Sequence, residues 1–441
     1  MIRCFRQLPT GLSIKLNHIS LAIRIINLAY FCRMQNQKAS QFEFVAMMAS
    51  LMSIVALAID ALLPALDYIG FSIGTTKSSD TQLLITMIFL GLGLGPLLFG
   101  PISDSLGRKP VVYMGFTVFI IASLICIYSE SLFWMVFGRI LQGVGLSAPR
   151  TIAIAMVRDT YSGDYMARIM SFITVVFILV PIIAPAMGKF VLDHYNWQAI
   201  FYIQLIFSVL VSFWFWKRQG ETLVLEKRVK FTSHIFPDGL KELIKHKKTI
   251  GYTIVSGFVT GSFMVYLSAS QQIFHTQYGL KEEFPFIFAG LAVSIGSATF
   301  LNGTLVVKYG MERIINLSIF SFFGVSLLYL ILFYNTPNPS VIVLLAFFAM
   351  QFFAIGFLFG NLRAMAMQPI GHIAGIGAAI TGFLSTIMAV PISIYIGKFV
   401  DQRALPLFIG FLICSFLSIL IIFYLRFDSK RQREKVISKL S

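Results

Sequence analysis

Charge is what this chain has least of: Asp, Glu, Lys and Arg make up 12% of its 441 residues, about half the share found in a soluble domain. So few charges cannot cover a water-exposed surface, which excludes the soluble classes. Cysteine is scarce too. Cys4, Cys32, Cys126 and Cys414 have no close-spaced partners, which excludes a disulfide framework and a zinc site. The six histidines are scattered without metal-ligand spacing, and neither a metal nor any other cofactor is expected. There is no His-Glu-x-x-His, no Walker loop and no nucleophile–base pair. No catalytic residue and no enzyme activity are therefore expected. What is abundant is apolar: 57% of residues are hydrophobic and the mean hydropathy is +0.82. A net charge of +16 would point to nucleic acid in a soluble protein. Here the positive residues fall in loops and tails, where membrane topology accounts for them, and no nucleic-acid partner is expected.

Apolar runs near the ~20-residue length of a bilayer span recur along the chain. They fall at about 42–66, 80–103, 111–128, 132–157, 169–193 and 199–216, and again at about 250–274, 286–307, 313–333, 340–367, 373–397 and 405–426. The expectation is an all-α integral membrane protein with twelve transmembrane helices in two six-helix halves, 42–216 and 250–426. Residues 1–41 form an N-terminal segment, 217–249 a basic linker and 427–441 a basic tail. Within the first segment, Leu16–Phe31 is apolar but short and interrupted by Arg24. It reads as an interfacial segment, or translation begins at Met34; no secretory signal is expected.

Lys and Arg concentrate on one side of the membrane. Arg108, Lys109, Arg158, Arg168, Lys308 and Arg313, nine in 217–249 and six in 426–441 share the side of the termini. The opposite loops hold little beyond Lys77, Lys281 and Arg403. This asymmetry places both termini in the cytoplasm. In the linker, Leu240, Leu243 and Ile244 fall at helical spacing beside Lys241, Lys245, Lys247 and Lys248, as in a short basic helix on the inner membrane surface.

The halves echo each other. Gly188-Lys-Phe-Val-Leu-Asp193 recurs 209 residues on as Gly397-Lys-Phe-Val-Asp401. Gly100 and Gly107 recur 203 residues on as Gly303 and Gly310, with Val307 in place of Asp104. Two matches in order and register indicate a duplicated unit.

Ionisable groups inside spans cost roughly 2.5–3.5 kcal/mol each at the bilayer centre, so they face a cavity or a partner. The first span carries Asp60. The fourth carries Arg139 and, eleven residues on, Arg150, on one helical face with Gln142 beside the first. Asp60 and Arg139 fall at similar depth, so an ion pair between them is expected, with Asp60 exchanging protons and Arg139 tuning it. Lys189 and Lys398 lie at outer helix ends and read as snorkelling. The second half has no charge in the central part of a helix; Tyr266, Gln271, Gln272, Asn302 and Gln351 are its polar groups. The substrate cavity is expected to use Gln142, Arg150, Tyr266, Gln271 and Gln351.

Residues 100–110, Gly-Pro-Ile-Ser-Asp-Ser-Leu-Gly-Arg-Lys-Pro, read as a tight polar turn between the second and third spans. The stretch resembles the G-x-x-x-D-x-x-G-R-[KR] loop of the major facilitator superfamily. The resemblance implies a conformational latch between the halves built from Gly100, Asp104, Gly107, Arg108 and Lys109. Asp60-x-x-x-Pro64-Ala-Leu, Arg139-x-x-Gln142-Gly143 with Val157-Arg158-Asp159, Pro181-x-x-Ala184-Pro185-x-x-Gly188 and Ala374-Gly375-x-Gly377-Ala378 are similar to the bicyclomycin/chloramphenicol-resistance (Bcr/CflA) branch of drug:proton antiporters. Pro181 and Pro185 permit a bend and Gly188 close helix contact, which suits a gating helix. Lys189 and the pair Pro149-Arg150 depart from the family pattern, in cavity packing and charge. The resemblance implies proton-coupled efflux of amphipathic small molecules or antibiotics across a bacterial inner membrane, by a monomer working on the proton gradient. Proton-coupled uptake of a metabolite, and a non-transporting receptor, are the alternatives.

Overall fold

Long helices make up nearly all of the described chain, which is residues 40–75, 77–228 and 235–440 of a computed structural model. In chain order they are α1 (Gln41–Ser72, interrupted), α2 (Ser78–Leu106), α3 (Arg108–Ile127), α4 (Leu132–Thr160), α5 (Gly163–His194), α6 (Gln198–Arg218), α7 (Lys247–Gln271), α8 (Phe284–Tyr309), α9 (Met311–Phe333), α10 (Val341–Met367), α11 (Ala374–Gly397) and α12 (Leu405–Leu440). Helices predominate because a backbone in lipid must satisfy its own polar groups. Ten stretches of the described chain are long and apolar enough to cross a membrane, and one of these, Val341–Gly397, holds both α10 and α11. Large side chains such as Phe133, Phe213, Trp216 and Ile331 point outward and exposed, as lipid-facing residues do. The interfacial segment and the Met34 start lie outside the described residues.

Helices α1–α6 and α7–α12 form two halves. Small residues let the helices within a half approach closely: a Cβ at Gly91 would meet the Ile140 carbonyl at 2.0 Å, and one at Gly143 the Ile88 carbonyl at 2.0 Å. Across the boundary α2 runs against α11 and α7, and α5 against α8. The duplication is visible in the backbone. Gly107 and Gly310 end α2 and α8 in matching turns, with φ of +111° and +80°, a region only glycine enters freely.

Four expectations change. The turn at 100–110 is Gly107 alone, because α2 continues through Pro101 to Leu106; Gly100 sits inside the helix with open space where a Cβ would be. The first span does not stop at 66. After Asp60 it breaks through the 3₁₀ turn Leu63–Ala65, where Pro64 has no N–H to donate, and resumes as Leu66–Ser72. The linker helix, Ile235–Lys245, tucks Leu243 against Ile370 and Ile380 beneath the α10–α11 connection, with Leu240 and Ile244 exposed. Finally, the basic tail continues α12 as helix to Leu440.

Candidate functional site

The break in α1 sets the centre of the site. Its carboxylate, Asp60, is 5% exposed, and no hydrogen-bond donor or cation pairs with it among the described residues. Two elements close on it. On one side Gly188 of α5 meets the next residue: a Cβ there would lie 2.0 Å from the Ala61 carbonyl oxygen. On the other, α7, which carries Tyr266, touches the 3₁₀ turn. The Tyr266 ring is fixed by Phe352 and Phe348, at centroid distances of 4.4 and 5.1 Å. Its hydroxyl is buried and has no partner among the described residues. A buried carboxylate of one half and a buried hydroxyl of the other thus lie on elements that meet at the break.

Arg139 does not form the expected pair with Asp60. It is fully buried, and its Nη2 donates to the Ala58 carbonyl at 3.1 Å, its Nε to the Leu84 carbonyl at 2.8 Å and its Nη1 to Gln142 Oε1 at 2.7 Å. The reason lies in the break: the last carbonyls of a helix lose their intrahelical donors, and Ala58 is one of them. Arg139 caps that end and ties α1, α2 and α4 together. Gln142 in turn donates to Ser123 of α3 at 2.7 Å, and Gln351 to Ser326 of α9 at 2.6 Å; both are fully buried. These two glutamines are therefore packing ties inside their own halves rather than cavity groups. Pro181 and Pro185 are accommodated within a continuous α5.

The halves are bonded together toward the face opposite the termini. Gln82 Nε2 of α2 donates to Gln272 Oε1 at 2.7 Å. The Thr86 and Ser393 hydroxyls are 3.4 Å apart, and Gln271 donates to Asp67 and contacts His275. Gln271 is thus a seam residue. Lys189, read as snorkelling, instead crosses the boundary, pairing with Asp193 at 2.9 Å and with Glu282 of the second half at 3.0 Å. Gln272 opens a π-helical stretch, Gln272–Gln277, that prolongs α7. Each half therefore begins with a helix that turns irregular at this end, a common mark of functional positions.

At the termini face the latch residues hold one half to its own linker. Arg108 Nη1 meets Asp104 at 2.6 Å and its Nε meets Asp159, at the end of α4, at 2.8 Å. Glu221, three residues past α6, accepts the backbone N–H groups of Arg108 and Lys109 at 2.9 and 3.0 Å; a carboxylate at a helix N-terminus satisfies orphan donors and the dipole together. Lys109 Nζ donates to the Trp216 carbonyl at 2.9 Å. Among the described residues, the partners of Arg108 and Lys109 thus lie in the first half and its linker. Glu221 hides in the sequence because its linker reads as topological charge.

Arg150 is half-buried on α4, and Arg363 near the end of α10 is exposed. Arg363 goes unnoticed in the sequence because it lies four residues before the end of a largely apolar span.

The chain is 28% identical to a bicyclomycin resistance protein homolog of Haemophilus influenzae over 285 residues, 64% of this chain and 71% of that protein. It is 24% identical to multidrug resistance protein MdtL of Salmonella paratyphi A over 355 residues, 79% of this chain and 87% of that protein. Among solved structures, the xylose transporter XylE from E. coli, in a partially occluded inward open conformation, shares the fold with a TM-score of 0.65 at 13% identity, over 87% of this chain and 96% of that one. The Major Facilitator Superfamily profile matches residues 48–390, from within α1 to within α11, a span that includes the break at Asp60. The chain belongs to the major facilitator superfamily, whose members are membrane transporters of small molecules and not enzymes.

Proposed function

We propose that this transporter exports amphipathic small molecules, antibiotics among them, in exchange for protons. The observation that carries the reading is Asp60, a buried carboxylate with no partner among the described residues, set where both halves meet. Such a group costs least when protonated and gains most from a site that alternates between two faces. The named resistance proteins among its relatives support efflux as the direction.

In the described state the seam residues close the face opposite the termini. The cycle runs by rocking of the halves: the seam parts, Asp60 takes a proton from the far side as substrate leaves, and the seam re-forms. Asp60 then releases the proton to the termini side as the next substrate binds. Tyr266 offers its free hydroxyl to the carboxylate or to the substrate that replaces the proton. The asymmetry of Lys and Arg supports cytoplasmic termini in a bacterial inner membrane. The working unit is a monomer, with the proton gradient as its only energy source.

The test is proton movement in proteoliposomes under an imposed pH gradient, challenged with lipophilic cations, neutral antibiotics and organic anions. Substrate-triggered proton release from the lumen is expected with the native protein. With Asp60→Asn it falls to the level of empty liposomes while the melting temperature shows a folded protein. Release that survives Asp60→Asn removes the coupling role. Proton entry together with substrate would make the protein an uptake symporter.

A further inference from the structure

Two glutamines, Gln271 and Gln272, stand where α7 passes from α-helix into the π-helical stretch Gln272–Gln277, and both carry bonds of the seam. Gln272 accepts from Gln82 at 2.7 Å. Gln271 donates from Nε2 to the carboxylate of Asp67, on the Leu66–Ser72 segment of α1. The same Nε2 lies 3.1 Å from Nδ1 of His275. His275 is 8% exposed, and its ring packs edge-on against Phe284 with centroids 4.9 Å apart. Its Nε2 is buried with no hydrogen-bond partner among the described residues. The cycle proposed above has no use for this histidine.

Its partners fix where the ring hydrogen sits. An ionised carboxylate only accepts, so Gln271 must present its NH2 group to Asp67. That nitrogen also reaches His275, so Nδ1 accepts and the single hydrogen of a neutral ring is assigned to Nε2. A second proton would turn Nδ1 into a donor facing another donor at 3.1 Å, while the Nε2 hydrogen still had no acceptor. The closed seam thus has a place for imidazole and none for imidazolium. The other charges about the ring do not supply one. Lys281 and Glu282 lie on the α7–α8 turn and Lys189 on α5, and Glu282 is taken up by Lys189 at 3.0 Å. Asp67 attracts an imidazolium only through the amide of Gln271 that already occupies it. A parted seam gives the ring water, which accepts from both nitrogens.

We propose that His275 is a second proton site, separate from Asp60, and that its protonation breaks the tie between Gln271 and Asp67 and opens the seam to the side opposite the termini. This rests on the export reading above for its purpose: acid on the far side opens the face on which substrate leaves and Asp60 loads its proton. Closure expels a proton from the ring, so the closed state is favoured at high pH and loses ground as pH falls. Imidazole changes charge between about pH 5 and 8, and one proton limits the change in the open-to-closed ratio to about tenfold per pH unit. The opening itself needs neither substrate nor gradient.

Opening is read as the distance between spin labels on the full chain in lipid nanodiscs. The labels replace the exposed Tyr195, after α5, and Tyr334, after α9, with Cys4 and Cys32 changed to Ser. A longer-distance population is expected to be several-fold larger at about pH 5.5 than at about pH 8. His275→Gln keeps a polar side chain but cannot take the charge, and its distances should be the same at both pH values. Gln271→Leu cuts the tie to Asp67 by another route and should enlarge the long population already at the higher pH. Asp60→Asn should still open in acid. Distances independent of pH in the native labelled chain overturn the proposal with no further variant needed. An acid response that persists in His275→Gln overturns it in favour of another group, such as His194 at the end of α5, and one that vanishes in Asp60→Asn assigns it to Asp60. A Gln271→Leu protein as closed as the native one at the higher pH overturns the role of the tie. The export reading fails separately, in the proton-release experiment, where this opening would persist.

Discussion

At the level of single residues, two glycines with similar sequence credentials have opposite roles. A methyl group at 188 would come within 2.0 Å of the Ala61 carbonyl, whereas at 100 it would meet nothing within 4 Å. Gly188→Ala must push α5 off α1 beside Asp60, and overpacking of this kind costs about 1–3 kcal/mol. Gly100→Ala fills empty space inside a helix and should stabilise by roughly 0.4–1 kcal/mol. Melting temperatures of the two variants in detergent check the contrast: Gly188→Ala should fall below the native value and Gly100→Ala rise above it. The sequence shows that a small residue is present but not what faces it, so both glycines read alike. The same limit explains Arg139. Its depth relative to Asp60 is legible from helix arithmetic, but the free Ala58 carbonyl that claims it exists only because α1 breaks, and the break alters what lies nearest.

At the level of elements, the connection from α6 to α7 is a strap fastened at defined points. Glu221 caps α3 through Arg108 and Lys109, and Leu243 anchors the linker helix under the α10–α11 connection. Glu242 on that helix is held below the usual carboxylate range by Lys245 and, to a smaller degree, by His246 and His372. Its contribution is therefore present at neutral pH and is lost only as pH falls through that lowered value. Glu221→Gln keeps the shape but removes the charge from the α3 N-terminus. It should cost about 1 kcal/mol and speed amide exchange at Arg108 and Lys109, read by hydrogen–deuterium exchange; unchanged exchange there would mean the cap is not holding the helix. Amphipathic spacing makes the linker helix legible as a helix. Which way it faces is not, since a protein groove and a membrane surface accept the same apolar stripe.

For the whole molecule, the number of helices, their division into halves and the membrane setting are legible because hydropathy and repeat spacing act locally. The conformational state is not. It depends on pairs such as Thr86 with Ser393, 307 residues apart, whose hydroxyls attract no notice in isolation. Their hydroxyls lie 3.4 Å apart, so sulfurs in their place need to close to the ~2.05 Å of an S–S bond, and Cys126 and Cys414 are buried and free. The double variant Thr86→Cys/Ser393→Cys, with Cys4 and Cys32 replaced by Ser, should cross-link on oxidation, lose transport and regain it on reduction. Full transport by the cross-linked protein would show that the seam does not open during the cycle.

The two turns at Gly107 and Gly310 began as copies, but only the first is enclosed, by Glu221 and Arg228; around the second there is open space. In the rocking cycle proposed above, the first six helices, braced at this turn, would serve as the stator and the second six as the arm that swings against them.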